Sequence, residues 1–149
     1  MVCRWHPKSG NTRIMETNLI PAKTYKKIIE LVPIVCVDII IFYQGKYVLV
    51  KRTTEPLKNK WWIPGGRTHK GEKTLETAKR KMREEVNLKT DNIRLYGIYE
   101  DHYKKSAWGV PTSSISIVYI ALIDKFDPKP DKTISEIKLA EFLPERLVK

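Results

Sequence analysis

The hydrophobic rhythm of the chain changes twice between residues 21 and 52. Tyr25, Ile28, Ile29 and Val32 follow Pro21 at spacings of three and four, which predicts a short amphipathic helix over residues 21–31 with proline at its start. The run from Ile34 to Tyr43 is apolar and mostly β-branched, and predicts a strand covered on both faces. Gln44-Gly45 turns this strand into a second one over 46–52. A polar loop, 53–60, leads to Trp61-Trp62-Ile63-Pro64-Gly65-Gly66, and then Leu75, Ala78, Met82 and Val86 return to helical spacing. They predict a helix of about 74–87 with one face on the core. Residues 93–103 and 113–123 read as strands, the prolines at 128 and 130 mark a loop, 136–142 reads as a last strand, and Pro144 opens a helical turn. Strands on both sides of one internal helix, without regular strand-helix alternation, predict an α+β sandwich rather than a doubly wound sheet.

A chain of 149 residues, 42% hydrophobic and 30% charged, has room for one core and one site. Residues 1–14 lack periodicity and are expected to be a flexible N-terminal tail, with Met15 a possible start, leaving 15–149 as a single domain. Asp38 interrupts the longest apolar run, which is far short of the roughly 20 residues that a bilayer requires. No apolar signal-peptide core precedes it, so a cytoplasmic location without a membrane partner is expected. The two cysteines make no disulfide framework: Cys36 is expected in the core, and Cys3 with His6 falls short of a metal set.

A net charge of +11 favours anionic partners and does not choose among phosphates, nucleotides and nucleic acid. It is also the balance of a lysine-rich, heat-adapted surface. Lys58 and Lys60, Lys79 to Lys81, and Lys104 and Lys105 lie apart rather than in one basic run, so nucleic acid is the less favoured partner.

Candidate chemistry concentrates after Gly65. On a helix, positions 81, 84 and 85 share a face, and Glu84 and Glu85 project as a pair. Adjacent carboxylates repel unless positive charge lies between them, and a hard divalent cation with oxygen ligands meets that need. The bare carbonyl of Gly66 adds a third oxygen. Arg80, four residues before Glu84 and within reach of Glu72, can hold the carboxylates in place. A solvated helix face with ordinary ion pairs is the competing account of these residues.

Gly66, five residues, Glu72, seven residues, Arg80, then Met82, Glu84, Glu85 and Leu88 resemble the Nudix box, the loop-helix-loop signature of a hydrolase superfamily. Trp61-x-Ile63-Pro64-Gly65-Gly66 resembles the approach to it. The resemblance, over 66–88, implies a Nudix-type α/β/α sandwich with a mixed sheet. It also implies hydrolysis of a nucleoside diphosphate linked to another moiety, with Mg²⁺, or Mn²⁺ in its place, on Gly66, Glu84 and Glu85. Arg80 and Glu84 would then be catalytic, with Glu72 and Lys81 supporting them.

Lys81 departs from the pattern, since the residue after the arginine is usually a glutamate. Asn87 replaces a usual glycine and still tolerates a left-handed helix end. The GDP-mannose mannosyl hydrolases also lack that glutamate, and the chain is similar to them at 33–38, 50–53, 64–67, 96–99 and Tyr103. By that resemblance Arg52 and Arg67 grip the diphosphate, for which the guanidinium fork is shaped, while Asp38 and Tyr103 line the substrate pocket. That branch takes its general base from a C-terminal histidine, and here the last histidine is His102, the candidate base beside Asp101. Trp108, an aromatic in a loop, is the candidate for stacking on the substrate; Trp61 and Trp62 divide between stacking and burial, and His69 is expected to be a solvated loop residue.

The expected function is therefore Mg²⁺-dependent cleavage of a nucleotide sugar resembling GDP-mannose, by a homodimer acting on a small nucleotide derivative. The first alternative is an ADP-ribose or nucleoside triphosphate pyrophosphohydrolase attacking phosphorus, with Glu84 or Glu72 as base. The alternative of another class is a catalytically impaired module that binds nucleotide or RNA.

Overall fold

The computed structural model describes residues 20–148; the expected tail and the Cys3–His6 pair lie outside the described residues. In chain order the elements are α1 (Ala22–Leu31), β1 (Ile34–Tyr43), β2 (Lys46–Arg52), β3 (Trp61–Trp62), β4 (Gly65–Arg67), α2 (Thr74–Val86), β5 (Ile93–Tyr103), β6 (Thr112–Leu122), β7 (Ile134–Ala140) and α3 (Glu145–Val148). Gln44 and Gly45 both take positive φ, 46° and 79°, the sense that a tight turn between twisted antiparallel strands demands. That hairpin fixes only Phe42 opposite Tyr47 and Tyr43 opposite Lys46, after which β1 and β2 separate. β2 pairs with β7 and β3, whereas β1 runs parallel to β6 and takes β4 antiparallel along Cys36–Asp38. β5 closes the outer edge against β6, giving a seven-stranded mixed sheet.

Alternation along β1 sends Val37, Ile39 and Ile41 to one face, where they meet Ala78, Met82 and Val86 of α2. Ile40, Leu49, Trp62, Ile63 and Val118 form a second cluster on the other face, joined by Leu143 and by Leu147 of α3. The result is the expected α/β/α sandwich. α2 ends where Asn87 adopts a left-handed conformation, φ 57°, with its N–H donating to Arg83 and that of Leu88 donating to Met82. This is the helix end at which asparagine can stand in for glycine.

Several expectations shift. β7 spans 134–140 rather than 136–142, because it runs out with β2: Ala140 already faces Tyr47, and Phe142 is 81% exposed. β3 and β4, two and three residues long, are too short to show a period of two. Leu75 is 39% exposed and off the core; Thr74 is the residue that meets β6, through a 2.8 Å hydroxyl contact with Tyr119. β1 is covered on both faces only in its second half, since toward its start Cys36 and Asp38 face a cavity. Cys36 is accordingly a half-buried wall residue and not a core one. Among the described residues no helix is long and apolar enough to cross a membrane.

Met82 is fully buried and Leu75 is not. Met82→Ala should therefore lose about 2–5 kcal/mol in urea unfolding, and Leu75→Ala about 1 kcal/mol or less. Equal losses would show that the helix face is assigned wrongly.

Candidate active site

β4 is the wall on which the site is built. Its three residues alternate, so that Gly65 and Arg67 lie opposite Asp38 and Cys36 of β1 while Gly66 lies opposite Val37, on the α2 side. Gly65 is packed hard against β1: a Cβ there would overlap the Asp38 carboxylate and come within 2.6 Å of the Val37 carbonyl. A side chain at 65 would push β4 off the sheet.

Behind β4, two charge networks hold α2 to it. Arg80 donates from Nε to Glu72 Oε1 at 2.7 Å and from Nη2 to Glu72 Oε2 at 2.9 Å, a fork on a carboxylate. The same guanidinium reaches the Arg67 carbonyl at 3.1 Å and Glu84 Oε2 at 3.1 Å. Glu72 also accepts from the Thr77 hydroxyl at 2.7 Å and the His69 N–H at 3.1 Å. These bonds, the Arg80 fork first, pull the Glu72 carboxyl down to about 2. Arg80 is thus a positioning residue that ties strand, loop and helix together. The His69 pKa is held below its usual value by burial and by Arg80, at a half-buried loop position.

The second network centres on Glu85, which is only 5% exposed. Its Oε2 accepts the Gly65 N–H at 3.1 Å, and its Oε1 takes the Lys81 ammonium at 2.6 Å. Lys81 Nζ also stands 3.8 Å from Glu84 Oε2, whose side chain is half exposed.

On the opposite side of β4 is a cavity of about 240 Å³, walled by Tyr25 and Ile29 of α1, by Arg52, Leu57 and Trp62, and by Tyr103, Trp108 and Ser116 of the outer strands and their loop. Gly65 and Gly66 form part of its wall, so cavity and carboxylates share one thin partition. Tyr25 holds the rim together, with Trp108 edge-on at 5.6 Å and the Arg67 guanidinium 5.3 Å from its ring. Arg52 donates to the Pro56 carbonyl at 2.9 Å, which fixes it at the mouth. Asp38 is the polar floor. Burial raises its carboxyl to about 6, with Asp101 and Glu85 adding to the rise and Ser116 and Arg52 opposing it. The Ser116 hydroxyl also lies 3.5 Å from Asp101 Oδ2 and donates to it, a long bond. Burial pushes the Cys36 thiol up to about 12, so it is no nucleophile.

Asp38, Arg52, Tyr103 and Trp108 line the cavity, Arg67 lies at its rim, and Gly66, Glu72, Arg80, Lys81, Glu84 and Glu85 gather behind β4. His102 alternates with Asp101 and Tyr103 and falls on the other face of β5, exposed and off the cavity wall. Trp62 is buried against the cavity, whereas Trp61 faces Lys138 Nζ at 4.1 Å. Ser114, Ser116 and Tyr25 were not singled out as site residues from sequence. The Ser-Ile-Ser-Ile alternation of β6 was the available signal, because serines on one face of an otherwise apolar strand need something polar to meet.

A sequence model of the NUDIX domain matches residues 32–148. The chain belongs to the NUDIX family. It is 27% identical to the low-salt glycan biosynthesis protein Agl8 of Haloferax volcanii, over 84% of this chain and 81% of that protein. It is 33% identical to an ADP-ribose pyrophosphatase of Methanocaldococcus jannaschii, over 72% of this chain and 68% of that one. The fold is similar to that of a MutT NUDIX hydrolase from Burkholderia pseudomallei, with a TM-score of 0.65 at 20% identity over 74% and 84% of the two chains. The NUDIX domain of Shewanella oneidensis NrtR, solved with ADP-ribose, gives 0.61 at 21% identity over 87% and 86%.

Nudix hydrolases generally use divalent metals such as Mg²⁺. The residues of this Nudix box do not fit one as they stand. Among the described residues no three His, Cys, Asp or Glu side chains gather as a metal set. Glu85 is committed to Gly65 and Lys81, and Glu84 to Arg80 and Lys81.

The Asp38 carboxyl titrates near 6 in the fold against 3.8 ordinarily, so the fold favours its protonated form. Its charge costs stability fully above pH 6, and the cost fades as the pH falls from about 6 toward 4. Asp38→Asn should raise the melting temperature at pH 7.5, with the gain shrinking toward pH 4. A gain independent of pH would contradict this account of the cavity floor.

Proposed function

We propose that this Nudix hydrolase cleaves a nucleoside diphosphate joined to a sugar. The observation that carries the reading is the shared partition: a recognition cavity with an acidic floor and arginines at its mouth backs directly onto the carboxylates of the Nudix box. Ligand cavities for drug-sized molecules run to roughly 300–1,000 Å³. One of about 240 Å³ takes a single ring system and leaves the diphosphate outside, along β4.

In this reading the Asp38 carboxylate accepts N–H or O–H groups of the enclosed base or sugar, Trp108 and Tyr25 cover its face, and Arg52 and Arg67 take the phosphate oxygens. Arg80 keeps Glu84 in place. Glu84 is the carboxylate placed to act as base, being half exposed and meeting both Arg80 and Lys81 through Oε2, whereas Glu85 is buried and Glu72 is saturated by donors. His102, on the far face of β5, has no part in it.

Two relatives support the substrate class: one is named for glycan biosynthesis, which consumes activated sugars, and the other for ADP-ribose, itself a nucleoside diphosphate joined to ribose. The RNA-binding alternative gains less, since Lys51, Lys79 and Lys81 sit in separate ion pairs with Glu136, Asp91 and Glu85. A cytoplasmic homodimer completes the proposal. The exposed Leu95, Tyr96 and Ile98 of edge strand β5 are the surface that would meet a second copy, and a monomer by sedimentation velocity at micromolar concentration would count against it.

Incubation with GDP-mannose, GDP-glucose, ADP-ribose and nucleoside triphosphates, with and without Mg²⁺, should give turnover of a nucleotide sugar or ADP-ribose and little of the triphosphates. In ¹⁸O-water, label in the sugar marks attack at carbon and label in phosphate marks attack at phosphorus. Failure to turn over any of these compounds would sink the enzyme reading.

A further inference from the structure

We propose that Lys81 is a built-in cation of the Nudix box, standing where Glu84, Glu85 and the Gly66 carbonyl would otherwise hold a divalent metal. The geometry carries this. Lys81 Nζ lies 2.6 Å from Glu85 and 3.8 Å from Glu84, on the α2 face where spacings of four and three bring the three side chains together. Its stem crosses the bare flank of Gly66: a Cβ added there would meet Lys81 Cε at 2.9 Å and Nζ at 3.3 Å. The ammonium therefore fills the corner bounded by two carboxylates and the glycine strand. Lys81 is itself largely covered, its side chain 16% exposed, and Glu85 is more so at 6%.

A buried carboxylate stripped of its partner is strongly destabilising, so Glu85 holds Lys81 in place. A divalent ion reaches Glu85 only in molecules where Lys81 has swung out, and its apparent affinity falls by that fraction. Lys81 is tethered four residues away and is never diluted. The consequence for the proposed reaction is that the positive charge beside the diphosphate comes from the chain, and turnover depends weakly on added metal. Only that consequence rests on the proposed function; occupancy of the corner is measurable without substrate.

The test is Mn²⁺ binding to the full chain, followed by the loss of the free Mn²⁺ paramagnetic resonance signal, in wild type, Lys81→Met, Lys81→Gln and Lys79→Met. Lys81→Gln keeps an N–H donor for Glu85 should the methionine variant not fold. The wild type and Lys79→Met should bind at least ten-fold more weakly than a folded Lys81 variant. Wild type binding as tightly as Lys81→Gln would overturn the proposal. Turnover of nucleotide sugars measured in parallel separates the two ideas: tight binding in the variants without any turnover refutes the proposed reaction alone, and turnover with equal Mn²⁺ affinity in all four proteins refutes the built-in cation alone.

Discussion

The Glu85 carboxylate is the constraint around which the molecule is arranged. It sits 5% exposed at the end of a helix that packs on the main core, in a place where an uncompensated charge would be costly. Two donors meet it, the Gly65 N–H and the Lys81 ammonium. The first pins a three-residue strand that is too short to hold itself to the sheet edge. The second neutralises the charge. Through these bonds helix α2, strand β4 and the cavity beyond β4 become parts of one object.

Glycine at 65 and 66 makes this arrangement possible for different reasons on the two sides. Gly65 lets β4 lie on Asp38, which closes the floor of the cavity, and Gly66 leaves the flank over which the Lys81 stem runs. The Arg80–Glu72 fork braces the loop between β4 and α2 and keeps Glu84 near the partition without burying it. In the proposed function, recognition and reaction are therefore divided across a single strand, with binding energy gained in the cavity used to hold the phosphates at its outer edge.

Much of this was legible in the sequence because it rests on local rules. The i, i+4 spacing of Ala78, Met82 and Val86 located the helix, the alternation and β-branching located the long strands, and Asn87 was recognised as a tolerable left-handed helix end. Helical reach gave Glu84 as a partner of Arg80 and reach across the loop gave Glu72, while its bond to the Arg67 carbonyl needed the structure. What stayed hidden depends on tertiary contact. Strands of two and three residues have no period to read; Cys36 looked like one more core residue of an apolar run because nothing local says that a cavity opens beneath that end of β1. His102 drew attention by residue type, and only the register of β5 against β6 reveals that it faces away from the cavity. Lys81 stood out as a lysine where a glutamate is usual, but that it occupies the corner itself required the distances to Glu85 and Gly66.

If Lys81 occupies the carboxylate corner of the Nudix box, a divalent cation is kept out of it. Crystals of the wild-type protein soaked in millimolar Mn²⁺, with diffraction collected above the manganese absorption edge, test this most directly. Lysine density on Glu85 and no anomalous peak between Glu84 and Glu85 are expected, with a peak appearing there in Lys81→Gln. A strong peak in the wild type, with the Lys81 side chain turned away into solvent, would contradict this.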